Sequence, residues 1–163
     1  MEKYIQMAMD MKMLDAVPIS PDRIRFDLRA LFKCRWGCED YRSSRCGVRD
    51  TTMSERMEMV RLYQRILLVH SHDVRALGRT VLAIERQAFL DGSYFALALM
   101  SCNLCGECQV KKGEACLTPD KVRPCEAGFG IDIYATVRGV GLPIQVLPNK
   151  EEVPNRYGFI LID

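Results

Sequence analysis

Cys102, Cys105 and Cys108 stand at C-x2-C-x2-C spacing, followed by Cys116 and Cys125. Such a triplet places three thiolates on one tight turn of backbone, which suits the corner of an iron-sulfur cube. Zinc sites, by contrast, are usually built from cysteine pairs. A fourth thiolate from Cys116 or Cys125 completes a four-cysteine set, and Pro119 and Pro124 stiffen the return of the loop. The chemistry expected of this stretch is a 4Fe-4S cluster, with zinc or structural thiols as the alternative.

A second group lies upstream: Cys34 and Cys38, then seven residues to Cys46. Lys33, Arg35, Arg42, Arg45 and Arg49 surround it, against only Glu39 and Asp40. A cube held by four thiolates is anionic, so a basic, hydrogen-bond-donating loop would stabilise it and raise its potential. The plainer reading is a solvated basic loop over buried free thiols. Trp36, the only tryptophan, either shields a cluster from water or serves as an ordinary core anchor. His70 and His72 are the only histidines; no spacing ties them to the cysteines, and capping or surface roles are expected. Glu39, Asp40 and Glu107 are the nearest acid-base candidates, and solvated loop charges explain them more simply.

The whole chain bounds these readings. Its 163 residues, 48% hydrophobic, suit one compact domain spanning 1–163. Lys and Arg total 23 against 21 acids, and a net charge of +2 gives no broad field for nucleic acid or an anionic membrane. The amino terminus lacks the apolar core of a secretory signal, and no apolar run approaches the roughly 18 residues of a span. A cytoplasmic protein without membrane insertion is expected. Eight cysteines in a reducing compartment speak for metal or redox work and against a disulfide framework. No G-x-x-x-x-G-K-[ST] loop and no G-x-G-x-x-G after a strand occurs, so neither ATP nor a nicotinamide cofactor is implied.

The elements that must position these cysteines follow from periodicity. Residues 2–14 suit an amphipathic helix, and the five methionines among the first 13 residues pack as core or offer a docking face through Met7 and Met11. Residues 16–20 read as extended, and Ile24, Phe26 and Leu28 alternate as in a strand. Thr51 and Thr52 start a helix that runs to about His70. Asp73 caps a second helix ending near Gly92, which makes a helical hairpin. Residues 93–100 are a continuous apolar run, expected as a buried central strand delivering the chain into Cys102. Gly128 to Val140 suits one helix, and Pro143–Leu147 and Tyr157–Ile162 a closing strand pair around the polar turn 149–155. The fold class is α+β: a small, mainly antiparallel sheet covered by helices, with two cysteine-rich metal loops at one end.

With these residues laid out, the chain resembles an uncharacterised family of predicted cysteine-rich metal-binding proteins found mainly in anaerobic bacteria and archaea. The resemblance rests on Cys34-x3-Cys38-x2-Tyr41-x4-Cys46 and on Cys102-x2-Cys105-x2-Cys108-x7-Cys116 with Pro119-Asp120-Lys121. The stretch from Arg123 to Asp132 is similar to the family's link into its last helix. Family members usually carry prolines where this chain has Gly47-Val48, and commonly a serine where it has Cys125.

If the triplet and Cys116 hold one cluster, then Cys34, Cys38, Cys46 and Cys125 form a second four-cysteine set. Cys116 and Cys125 can exchange roles, because remote cysteines often ligate the other cluster in two-cluster proteins. Two clusters with no substrate motif read as an electron-transfer protein, or a subunit of an anaerobic redox complex, working with a protein redox partner. Two alternatives stand beside it. One is a zinc-stabilised binding or assembly module; the other is a first group of only three thiolates, open to catalysis or reductive activation.

Overall fold

A computed structural model describes residues 1–47, 49–149 and 151–163. Four strands form one antiparallel sheet in the order β1-β2-β4-β3: β1 (Asp15–Ile19), β2 (Arg65–Ser71), β3 (Leu97–Leu99) and β4 (Arg156–Ile162). The α+β expectation is met.

The sheet is buried on both faces because its two inner strands are apolar at nearly every position, and strand geometry sends successive side chains to opposite sides. Leu67, Val69, Ile160 and Ile162 face a core completed by α1 (Glu2–Asp10) and α4 (Val74–Leu90). Ile66, Leu68, Phe159 and Leu161 face a second core built with Val60, Phe129, Ile131 and Val137. The latter four come from α3 (Met53–Leu62), α5 (Glu126–Phe129), α6 (Ile133–Arg138) and the α5–α6 junction.

Several local expectations are corrected. The expected helical hairpin is a helix and a strand: α3, opened by a Thr52–Glu55 capping box, ends at Leu62, and Arg65–Ser71 is strand β2, buried from Ile66 onward. An apolar run this short reads equally as helix or strand until its neighbours are known, and here β1 and β4 flank it. The stretch 93–100 supplies only the three-residue β3, an edge strand and not a central one. Leu28 opens α2 (Leu28–Gly37), so the alternation from Ile24 is no strand; only Phe26 bridges to Ile131. The single helix from Gly128 to Val140 is broken by Gly130, whose φ of 90° no helix tolerates. Pro143–Leu147 joins no strand, and β4 pairs with β2 and β3 instead. Val48 and Lys150, which fall in the predicted loop and turn, lie outside the described residues.

Met7 packs against the first core while Met9 and Met11 are exposed, so core filling accounts for only part of the methionine run. Trp36 is neither shield nor anchor: it lies 79% exposed on α2, tilted against Phe32.

Candidate metal centre

The cysteines gather where two loops meet. Helix α2 carries Cys34 on its buried side and ends at Cys38, and the chain turns through Asp40–Ser43 to Cys46. The second loop leaves β3 and runs without regular structure, apart from two short 3-10 turns, through Cys102, Cys105, Cys108 and Cys116 to Cys125. Cys125 caps α5, its Sγ accepting the Gly128 N–H at 3.3 Å. Helix α5 packs against α2, and this contact carries Cys125 across to the first group.

All eight cysteines are free, and their mutual influence divides them into two neighbourhoods. Burial raises the Cys34 thiol, the charges of Cys38 and Cys46 raise it further, and a thiol contact with Cys125 and the charge of Arg56 oppose them. Cys125 is pushed up to about 12, first by burial and then by neighbouring Glu126, with Cys34 and Cys46 adding to the effect. Burial likewise raises Cys102, on which Cys116 and Cys105 act as further like charges. Cys125 thus neighbours Cys34 and Cys46 and lines one cleft with Cys34 and Cys38, while Cys105 and Cys116 neighbour Cys102. Among the described residues, no group of three or more His, Cys, Asp or Glu is drawn together tightly enough to hold a single metal ion.

Three arginines build this region, and only one of them stood out in the sequence. Arg45, buried in the first loop, donates to Asp40 Oδ2 at 2.6 Å and to the Cys102 carbonyl at 2.7 Å, so it ties the two loops together. Burial works against its charge, but Asp40 and the Cys108 and Cys102 thiols outweigh it and raise its pKa. Its Nε is buried with no partner among the described residues. Arg56, buried in α3, donates to Thr51, Gly128 and Arg49 and sets its guanidinium over Phe129. It lies near Cys34 and Cys46, and nothing in its local sequence marks it as other than a surface helix arginine. Arg123 forks onto Glu85, which also accepts the Ala98 N–H at 2.7 Å; this anchors the return of the second loop to α4 and β3.

The remaining candidates have structural partners. Asp40 pairs with Arg45; Glu39 and Glu107 form exposed ion pairs with Lys111 at 3.0 Å and Lys112 at 2.7 Å, the former a second tie between the loops. His70 is buried, stacked on Tyr157, with Asp15 and Asn155 at its two nitrogens, and His72 contacts the Pro154 carbonyl. Among the described residues, no cysteine is a partner of either histidine.

Two hollows open on the cysteines. A cleft of about 660 Å³ is lined by Cys34, Cys38 and Cys125 together with Lys33, Ile131 and Tyr134. It also reaches Glu126, whose carboxyl burial holds toward its neutral form and whose Oε2 has no partner among the described residues. A groove of about 920 Å³ runs between α4 and the return of the second loop and reaches Cys105. No helix among the described residues is long and apolar enough to cross a membrane.

Compared with known proteins, residues 17–162 match the family described as Predicted metal-binding protein (DUF2284). No curated protein and no solved structure matches the chain.

Proposed function

Since the chain belongs to the DUF2284 family of predicted metal-binding proteins, we propose that its metal is iron in two 4Fe-4S clusters and that it transfers electrons in the cytoplasm of an anaerobic cell. The observation that carries this reading is the position of Cys125 beside Cys34, with Cys46 near both thiols and Cys38 lining the same cleft. It favours the division into two sets of four cysteines over an exchange of Cys116 and Cys125 between them. Cys34, Cys38, Cys46 and Cys125 would hold one cluster, and Cys102, Cys105, Cys108 and Cys116 the other.

The donor chemistry fits. Soft thiolates in fours are the usual protein ligands of such clusters, and bound metal displaces the protons that burial now favours. The unpartnered Nε of Arg45 leaves a buried hydrogen-bond donor beside Cys102 and Cys108, where sulfur would accept it. When bound, such a cluster supplies one-electron transfer. The residues of this chain do the rest: Arg45 and Arg56 offset thiolate charge, the Arg45–Cys102 and Lys111–Glu39 ties hold the loops in register, and the anchored ends limit rearrangement.

A specific observation supports a second reading. The cleft onto Cys34, Cys38 and Cys125 would admit a small molecule to the first set, which suits catalysis or reductive activation at that site.

The deciding experiment is iron, zinc and acid-labile sulfide per chain on anaerobically purified protein, with EPR after dithionite reduction. About eight iron and about eight sulfide with coupled signals are expected. In Cys125→Ser and in Cys105→Ser both should fall to about four, each variant losing a different signal. Zinc without sulfide would refute electron transfer and leave a zinc-stabilised binding module.

A further inference from the structure

Beside Cys46, four arginines line one small hollow. The cavity, about 160 Å³, is bounded by Arg35, Arg42, Arg49 and Arg56, with Asp50 the only carboxylate and Cys46 at its edge. The four arginines come from α2, the first cysteine loop and α3, elements that meet only in the folded chain. Their assembly needs a physical reason, because like charges brought together oppose folding.

Protein groups account for part of it. Arg56 spends its donors on Thr51, Arg49 and Gly128, and faces Cys34 and Cys46. Arg35 and Arg42 donate no hydrogen bond to any described residue. Arg42 only rests its guanidinium over the Tyr41 ring. It also holds a φ of 60°, a left-handed conformation that costs a residue with a Cβ and that persists chiefly where function requires it. Arg35 lies near enough to Arg56 for their charges to oppose each other. Planar guanidinium forks converging on a small volume are the arrangement that recognises phosphate, sulfate or carboxylate oxygens, two at a time.

We propose that this arginine-lined cavity beside Cys46 binds a small oxyanion with the size and charge of phosphate or sulfate, free or as the terminal group of a larger ligand. The assignment is independent of which metal the cysteines hold. An anion there neutralises Arg35 and Arg42, relieves their repulsion with Arg56, and stands next to the first cysteine set, where it would act as substrate or effector.

The test is calorimetric titration of the protein, as purified anaerobically, with inorganic phosphate, sulfate and adenosine monophosphate, using chloride as control. One saturable site is expected, weakened by about tenfold or more in the Arg35→Gln/Arg42→Gln variant, with metal and sulfide content unchanged. Tighter binding of the nucleotide than of inorganic phosphate would place the oxyanion at the end of a larger ligand; equal binding would make it free. Absence of saturable binding, or equal affinity in the double variant, overturns the site. So does a variant that binds no anion differently but shifts the metal's midpoint potential, since the arginines would then serve only thiolate charge. Zinc without sulfide would refute the iron-sulfur reading while leaving anion binding to be read as before.

Discussion

At Gly47 the first cysteine loop runs so close to the second that a Cβ would lie 2.2 Å from the Arg123 carbonyl carbon and 2.3 Å from the Pro124 nitrogen. These are backbone atoms, which cannot step aside as a side-chain tip can. Cys46 precedes this contact and Cys125 follows it, so the absence of a side chain at Gly47 is what lets the two thiols share a neighbourhood. Gly47→Ala should therefore push them apart. On the two-cluster reading, iron and sulfide should fall from about eight to about four per chain, with the signals of the Cys102 loop retained. Full content in that variant would sink the pairing of Cys46 with Cys125.

Helix α2 delivers two of the first group's thiols, and its start is set by one residue. Asp27 accepts the Arg29 backbone N–H at 2.8 Å as its cap and pairs with the Arg29 guanidinium. The guanidinium contact first, and the backbone N–H second, hold its carboxyl at about 2 against an ordinary 3.8. A carboxyl depressed on folding contributes stability that is complete above the unfolded value and is lost as pH falls through the folded one. Urea unfolding followed from pH about 5 down to about 2 should thus show wild type losing more stability than Asp27→Asn, which still caps but does not titrate. Equal slopes would mean that the cap is not formed in solution. At the other end of the site, α4 supplies Glu85 to the Arg123 fork and to Ala98, so a helix far in sequence fixes where the second loop returns.

At the scale of the molecule, helices close both faces of the sheet and the cysteines are left between two loops at its edge. The groove reaching Cys105 is lined by Arg79, Arg86 and Lys121, none of which enters a side-chain hydrogen bond or ion pair among the described residues. Phe89 lines it too, next to exposed Leu90. On the electron-transfer reading, these three cations, set beside Glu85 and Asp120, would draw an acidic protein partner to the groove. Reversing Arg79, Arg86 and Lys121 to Glu should weaken binding of an acidic flavodoxin by about tenfold at low salt and remove most of its salt dependence. Unchanged binding would move the docking face elsewhere. Much of this architecture was written locally. Cysteine spacing marked both loops, the Asp73 cap and a periodic apolar face marked α4, and a β-rich apolar run marked β4, because each signal is carried by neighbours in the chain. What the sequence could not determine depended on distant partners. Ile66 to Ser71 became a strand only because β1 and β4 flank it, and the 93–100 run shrank to an edge of three residues. Arg45, marked in the sequence only as one of several basic loop residues, and Arg56, ordinary in its local sequence, became buried cations through partners distant in the chain, the Cys102 and Gly128 carbonyls. The neighbourhood of Cys125 was decided in the same way: it lies in sequence with the second group, and the packing of α5 on α2 brings it beside Cys34.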